Sequence, residues 1–265
     1  MPAISHLAGI VRTHRSLLGA LVVRDLRDRF AGQTLGLVWT LGHPLVLMVL
    51  YAFLFAYVFP ARSGSTAASD YAPAIFAGLA CWLTAQEVLA RSTTVLQAHA
   101  SLVKQIVFPT ELLPLKAALA SSVAQIVTVT FAVLYAAYKG TLGPLAVTLP
   151  LIVLCQLAAA TGASYLLASL GAYFRDLKDV VQVLLAVGLF ALPVLYNPHA
   201  TPRWLTIVQA LNPLSPFVWC YQDALYFGYA AHPIAWLAMP LIAIVVLMIG
   251  YTVFQRAKHG FGDVL

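Results

Sequence analysis

The sequence predicts an all-α integral membrane protein with six transmembrane helices per subunit. Hydrophobic residues make up 62% of its 265 residues and charged residues only 9%, whereas soluble domains have about 25% charged residues. Uncharged apolar runs that can cross roughly 30 Å of hydrocarbon recur from one end of the chain to the other. The basic residues stand at the flanks of these runs, which is typical of membrane topology. The whole chain, residues 1–265, is therefore predicted to be a single transmembrane domain.

Residues 5–30 are predicted to form an amphipathic helix that lies in the cytoplasmic membrane interface. Leucine and isoleucine residues recur there at helical spacing on one face, and Arg12 lies off that face. The alternative is a helix whose apolar face packs on other parts of the protein. The segment ends in a basic cluster that contains Arg24, Arg27 and Arg29, which marks this side of the first span as cytoplasmic.

Six predicted spans follow, at about residues 35–59, 71–96, 117–138, 145–174, 180–196 and 233–254. With this topology, twelve lysine and arginine residues lie on the cytoplasmic side and three lie outside. Such an excess agrees with the positive-inside rule and places both termini in the cytoplasm. Span 2 contains Glu87 and Arg91, which are four residues apart and share one helix face. This pair is either a structural ion pair or a participant in transport.

Two interruptions of the apolar pattern are candidates for function. Between spans 2 and 3, residues 100–108 are predicted to form a short cytoplasmic helix that could dock a partner. Between spans 5 and 6, Pro213 and Pro216 are too close together for an unbroken helix, so residues 203–229 are predicted to form two short re-entrant helices. These turn near Asn212, have Asp223 near their exit and form a candidate outer gate.

Several kinds of chemistry are not indicated. The sequence has no phosphate-binding loop, no nucleophile elbow and no histidine pair with metal-ligand spacing. The basic residues form no patch interleaved with aromatic residues, so nucleic-acid binding is not predicted. The three cysteines lie singly in apolar runs and are predicted to be small buried hydrophobic residues. We therefore expect no catalytic residues, no metal and no cofactor in this chain.

Five motifs, in this order along the chain, carry a family resemblance. They are the basic cluster with GLVW and HPLV, the loop SLVKQIVFPTELLPL, then FRDLKD, then LNPLSPFVWCYQDALYFG, and the terminal GFGDVL. Together they resemble the membrane subunit of ABC type-2 exporters, and most of all the permeases that export lipid-linked O-antigen and teichoic-acid polysaccharides in bacteria. The resemblance implies a homodimer in the bacterial inner membrane that surrounds a channel. It also implies two copies of a separate cytoplasmic ATPase that binds ATP and magnesium.

The same resemblance implies roles for particular residues. Residues 101–109 would be the coupling helix that contacts the ATPase, the basic cluster would belong to a gate helix pressed against the ATPase and lipid headgroups, and residues 212–223 would cap the channel. The implied coupling residues are Ser101, Leu102, Lys104, Gln105, Phe108, Pro109 and Glu111.

Aromatic side chains suit a path for sugars, because they present apolar faces with polar edges. The candidate channel residues are Trp39, Tyr51, Phe55, Tyr57 and Trp82, although aromatic residues are also common at membrane interfaces. Two alternatives to polysaccharide export stay open. One is an ABC type-2 exporter of drugs or small lipids, and the other is a membrane scaffold protein that transports nothing.

Overall fold

The computed structural model describes residues 2–28, 38–54, 71–104, 108–196 and 202–264. These residues form helices joined by short turns, and no β-strand occurs among them. The α-helices are α1 (Pro2–Thr13), α2 (Arg15–Asp28), α3 (Val38–Phe53), α4 (Ala72–Ser92), α5 (Ala100–Val103), α6 (Leu112–Lys139), α7 (Leu149–Tyr173), α8 (Leu177–Gly188), α9 (Arg203–Leu211), α10 (Ser215–Gln222), α11 (Pro233–Ala257) and α12 (Phe261–Val264).

Four helical segments are long and apolar enough to cross a membrane: Ala72–Ser92, Leu112–Lys139, Pro144–Tyr173 and Pro233–Gly260. They correspond to predicted spans 2, 3, 4 and 6, and they confirm the all-α membrane class. The third of them joins a 3-10 turn, Pro144–Thr148, to α7. The chain is therefore a multi-pass membrane protein.

Within the described residues, the other two predicted spans contain shorter helices. In predicted span 1, the apolar helix covers Gly42–Tyr51, and residues 55–59 lie outside the described residues. In predicted span 5, α8 has 12 residues and rises about 18 Å at 1.5 Å per residue, which is less than the roughly 30 Å of a hydrocarbon core. A 3-10 turn, Leu189–Ala191, extends it. The total of six spans stays a prediction.

Helix α4 lies at the centre of the bundle, and 83% of the residues in its apolar 18-residue stretch are buried. It packs against α6, α7 and α10, and a buried polar network ties these helices together. Gln156 of α7 donates a hydrogen bond to the carbonyl oxygen of Cys81 in α4, at 2.9 Å, and accepts others from Gln125 of α6 and Tyr221 of α10. Because the low-polarity interior strengthens such bonds, the network fixes one arrangement of the four helices.

Among the described helices, α7 and α11 share the most extensive contact. A β-carbon at Gly162 would lie 2.5 Å from the Cα atom of Leu247, and one at Gly250 would overlap the carbonyl oxygen of Gly162. The lack of a side chain at Gly162 therefore lets α11 approach α7 closely.

The N-terminal segment is helical from Pro2 to Asp28, and the backbone hydrogen bonds continue across His14. Its predicted apolar face exists, but it packs on the protein's own helices: α1 contacts α11, and α2 contacts α6. Leu18 is buried there, whereas Leu17 is exposed. The segment is thus packed on the protein along part of its surface, and its predicted position in the membrane interface stays a prediction. The start of α6 and the end of α11 contribute apolar side chains of their own to this contact.

The region predicted as two short helices has that form. Helices α9 and α10 are separated by a turn in which the side chain of Asn212 accepts a hydrogen bond from the backbone N–H of Leu214, at 3.0 Å. A π-helical turn, Asp223–Phe227, and a left-handed Gly228 follow. Thr141, in the loop after α6, donates a hydrogen bond to the carbonyl oxygen of Leu225. The depth of these helices in a membrane stays a prediction.

Candidate functional site

A cavity of about 380 Å³ lies between α3, α4 and α6. We call it the α3–α4 cavity. Its polar wall is formed by side chains that carry hydroxyl, amide, imidazole and charged groups, namely His43, Thr84, Gln86, Glu87, Arg91 and Thr128. Trp39 and Leu47 of α3 add apolar groups to the lining. Its volume lies within the range of small-molecule sites, and its mixed lining suits a ligand that has both apolar faces and hydroxyl groups.

The predicted pair in span 2 forms on the wall of this cavity. Arg91 Nε lies 3.2 Å from Glu87 Oε1, one helical turn away on α4. The side chain of Glu87 is 25% exposed and that of Arg91 is 40% exposed, so both groups are accessible to a ligand. The structure thus confirms that the two side chains pair, and both proposed roles of the pair stay open.

A second cavity, of about 470 Å³, lies between α4 and α8, and we call it the α4–α8 cavity. Lys178, Gln182 and Thr94 contribute polar groups to its wall. Gln86 and Ala90 of α4 line both cavities. The two cavities are therefore neighbours on either side of Gln86 and Ala90. We call the two cavities together the polar track, which runs across the second half of α4.

The aromatic residues predicted to line a channel fall in different places. Trp39 is exposed and lines the α3–α4 cavity. Tyr51 is half-buried against the central core, and Phe55 and Tyr57 lie outside the described residues. Trp82 is buried, with its ring against Gly188 of α8. Because this ring packs inside the bundle, Trp82 offers almost no surface to a channel in this conformation.

The segment between α4 and α6 is fastened at its beginning by a lysine from α6. Lys116 Nζ lies 2.9 Å from His99 Nε2 and 3.2 Å from Asp25 Oδ1 of α2. Gln97 also donates a hydrogen bond to the carbonyl oxygen of Gly171 in α7, at 2.6 Å. Burial, followed by the positive charge of Lys116, lowers the pKa of His99 below its ordinary value. A neutral His99 is the form that can accept a hydrogen bond from Lys116.

The end of the same segment is fastened to α11 and the turn after it. Glu111 is buried, and its carboxylate accepts hydrogen bonds from Lys258, at 2.7 Å, and from Gln255, at 3.1 Å. Burial raises the pKa of Glu111, but the hydrogen bonds from Lys258, the backbone and Gln255 outweigh it, and the pKa falls below its ordinary value. Glu111 was expected to contact the ATPase. Its carboxylate points into the protein instead, so it serves as an internal anchor.

Between these two anchors, the predicted coupling helix is partly described. A 3-10 turn, Gln97–His99, leads into the single turn of α5, and residues 105–107, including Gln105, lie outside the described residues. Ser101 and Lys104 are exposed. Leu102, Phe108 and Pro109 are half-buried. The exposed side chains are available to a partner, whereas both ends of the segment are held by the bundle.

The charged residues of the predicted gate helix lie on α2. Arg24 pairs with Asp28 on the same helix at 3.4 Å, and both side chains are exposed. Arg27 is also exposed, and Arg29 lies outside the described residues. Asp25 contacts Lys116 across the helices, a contact that a pattern of four-residue spacing along α2 could not show.

At the predicted outer gate, Asp223 is fully buried. Its carboxylate accepts a hydrogen bond from Trp236 Nε1 at 2.9 Å, and it lies 2.8 Å from His232 Nδ1 and 3.0 Å from the backbone N–H of His232. The ring of Trp219 stacks on His232. Pro216 is buried and Pro213 is exposed. Asp223 therefore fastens the π-helical turn to the start of α11.

Among the described residues, no group of three or more histidine, cysteine, aspartate or glutamate side chains could hold a metal ion. The sites with concentrated polar chemistry are the track along α4 and the anchors around the segment between α4 and α6. Residues 16–226, which include the track along α4, match the family model described as ABC-2 type transporter. The chain belongs to the ABC-2 type transporter family. The resemblance found in the sequence motifs is thereby confirmed.

The curated relatives of this ABC-2 transporter chain include permeases of one export system. It is 26% identical over 254 residues to the O-antigen export system permease protein RfbA of Myxococcus xanthus, covering 94% of this chain and 95% of the relative. It is 23% identical over 251 residues to the protein of the same name from Klebsiella pneumoniae, with the same coverage. The similarity extends over nearly the full length of both relatives.

Several residues of the ABC-2 chain that line the track were not predicted from the sequence. They are Gln86, Thr128, Lys178 and Gln182. Gln86 precedes Glu87 in an otherwise apolar helix, and this doubling of polar residues was a usable signal. Thr128 lay in an ordinary apolar pattern on another helix, and only the packing of α6 against α4 brings it to the cavity.

Proposed function

We propose that this chain is the permease subunit of an ATP-driven ABC exporter that moves a lipid-linked polysaccharide, such as O-antigen or a similar cell-surface glycan, across the bacterial inner membrane. The observation that carries this proposal is the similarity to O-antigen export permeases over 94% of the chain. The polar track along α4 supports it with a surface of suitable chemistry.

The track would be the wall of the glycan path. Sugars present hydroxyl groups that exchange hydrogen bonds with amide and hydroxyl side chains, and apolar faces that stack on aromatic rings. The α3–α4 cavity offers both kinds of partner, with Gln86 and Thr128 near Trp39. In the proposed dimer, two such tracks would face each other, so that glycan units move past side chains that hold none of them tightly.

Six spans and two cytoplasmic termini complete the proposed topology. Under it, the second half of α4 lies in the cytoplasmic leaflet, so the track is reached from the side where the glycan is made. The hairpin of α9 and α10 re-enters from the outside and caps the path. Its attachment through Asp223 to His232 and Trp236 supports this arrangement, because a cap must keep its shape while the subunits move.

Energy would come from two copies of a separate ATPase that binds ATP and magnesium. The exposed Ser101 and Lys104, between the two anchored ends of their segment, are the surface we assign to that contact. A push on this segment would reach α2 and α6 through Lys116, and the end of α11 through Glu111. The membrane subunit itself needs no nucleotide site for this role.

The proposal is tested by expressing the chain, with its genomic neighbours, in a bacterium that lacks its own O-antigen export permease. We expect an ATPase subunit to copurify with the chain and lipid-linked glycan to reach the cell surface. Substitution of Lys104 by glutamate should reduce copurification of the ATPase, because it reverses the charge of the exposed contact. Lys139→Glu, at the end of α6 that is distant from this segment, is the matched charge-reversing control and should have no effect.

Export of drugs or small lipids is the second candidate. A separate cavity of about 210 Å³, lined almost wholly by apolar groups, lies between α4, α7, α11 and the turn after α9, and it favours a small apolar substrate. Copurification of an ATPase together with drug resistance, and without surface glycan, would replace the first proposal by this one. If no ATPase copurifies and nothing is exported, the chain is not the transport subunit that we propose.

A further inference from the structure

The ammonium group of Lys116 is buried where three parts of the chain meet. Its side chain is 4% exposed, and its two acceptors are Asp25 of α2 and His99 of the segment that follows α4. A lysine that is removed from water in this way is stable only when charge and hydrogen bonds compensate it. The contact is therefore much more specific than an exposed pair such as Arg24 and Asp28.

The hydrogen bonds fix the orientation of His99. Its Nδ1 lies 3.0 Å from the carbonyl oxygen of Val95, one turn earlier, and its Nε2 faces Lys116. Since a carbonyl oxygen can only accept, Nδ1 carries the proton and Nε2 is the acceptor. A continuous line of hydrogen bonds thus runs from the backbone after α4, through His99 and Lys116, to the carboxylate of Asp25.

In the described residues, helix α2 is joined to α6 by the ion pair between Asp25 and Lys116. It packs on α6 mainly through apolar side chains, of which Leu18 is buried. Apolar contacts of this kind have little directionality. The ion pair between Asp25 and Lys116 does have a direction, and it lies beside the exposed Ser101.

We propose that Lys116 is a positioning residue that couples α2 to the segment between α4 and α6, so that a displacement of this segment by the ATPase carries α2 with it. This inference rests on the proposed function, since it assigns the route by which an ATPase acts. Without Lys116, the segment still binds its partner through its exposed side chains, but α2 no longer follows.

The experiment compares wild type with Lys116→Met, Asp25→Asn and the exchange D25K/K116D, with Lys139→Met as the control lysine on the same helix. In the first part, the purified chain alone is examined by hydrogen exchange. We expect faster exchange of the amides of α2 in Lys116→Met and Asp25→Asn, and wild-type exchange in Lys139→Met. Asp25 is partly exposed, so Asp25→Asn remains informative if Lys116→Met fails to fold.

In the second part, the complex with its copurified ATPase is reconstituted, and glycan exported per ATP hydrolysed is measured. We expect this ratio to fall by roughly fivefold or more in Lys116→Met and Asp25→Asn, at the lower end of typical coupling between sites. The amount of bound ATPase should be unchanged, which separates a coupling defect from a general loss of structure. The charge-swap variant D25K/K116D should recover most of the glycan exported per ATP hydrolysed, because it restores a pair of opposite charges.

An unchanged ratio in both single variants overturns the inference, and so does a reduced ratio that comes with reduced ATPase binding. If the wild-type complex exports no glycan or binds no ATPase, the proposed function has failed instead. Hydrogen exchange then still tests whether the contact between Lys116 and Asp25 holds α2. Unchanged exchange of the α2 amides in both single variants would show that Lys116 does not hold this helix.

Discussion

Lys258 Nζ lies 2.7 Å from Glu111 Oε1, so the turn that follows α11 is joined to the residue that precedes α6. The two residues are far apart in sequence, and the carboxylate is buried whereas the ammonium group is partly exposed. This contact joins the start of α6 to the end of α11, and it leads to the first prediction.

Lys258→Met should destabilise the protein by about 1 to 3 kcal/mol, because it leaves a buried carboxylate with one fewer partner. The measurement is thermal unfolding in detergent. Asp28→Asn, which removes one partner of the exposed pair on α2, should cost less than about 1 kcal/mol. Equal losses in the two variants would show that the burial of Glu111 does not matter for stability.

Acid should weaken the same contact. The pKa of Glu111 is lowered in the folded protein from its ordinary value of 4.5. The contribution of Glu111 to stability is therefore complete above pH 4.5 and is lost as the pH falls through the lower folded value. Glu111→Gln should remove this part of the pH dependence. An identical acid profile in wild type and variant would contradict the assignment.

His99 should have its effect at a higher pH. Its folded pKa lies below the ordinary value of 6.5, so protonation favours the unfolded chain, and stability declines as the pH falls below 6.5. The charged groups around it are Arg24, Asp25, Asp28 and Lys116. His99→Gln keeps an acceptor for Lys116 but cannot titrate. Wild type should therefore lose more thermal stability than this variant between pH 7.5 and 5.5.

The pair of Glu87 and Arg91 can be assigned by comparing export with stability. If the pair belongs to the glycan path, Glu87→Gln should lower export roughly tenfold, equivalent to about 1.4 kcal/mol in the barrier, with little change in unfolding temperature. The measurement is surface glycan at equal expression. A loss of stability that accounts for the loss of export, with both restored in E87R/R91E, would make the pair purely structural.

The contact between α7 and α11 should tolerate no β-carbon. Gly250→Ala would place a methyl group against the carbonyl oxygen of Gly162, and we expect it to cost about 3 kcal/mol or more. Gly19→Ala on α2 is the matched control, since no atom lies within 4 Å of the position that its β-carbon would take. This control should stabilise the protein by about 0.5 to 1 kcal/mol. Thermal unfolding of both variants decides the matter.

The fold class could be predicted well, because each membrane crossing requires a long uncharged stretch that is visible in the sequence itself. Long uncharged runs must become helices in lipid, since the backbone has no other hydrogen-bond partner there. This rule located the four membrane-length helices. It did not resolve α8, whose apolar run is close to the minimum length, or the surface on which α1 and α2 rest. An apolar helix face shows that something covers it but does not show what.

The candidate site was less predictable for a geometric reason. Glu87 and Arg91 were found because four residues make one helical turn, so their proximity is local. Lys116 and Asp25 are distant in sequence, and their contact depends on how α2 lies across α6. Trp82 was chosen as a channel residue by its chemistry alone. The packing of Gly188 against its ring placed it in the core instead.

The absence of side chains at Gly162 and Gly250 has a mechanical consequence. With each backbone seated directly against the other, a shift of α7 along α11 by even part of a turn would drive the flanking side chains into the opposing helix. We therefore expect α7 and α11 to move together as one rigid unit. We expect any relative movement of helices to involve α3 and α8, which make less contact with the bundle than this pair and border the cavities along α4. The stiff side of the molecule thus determines where it can open.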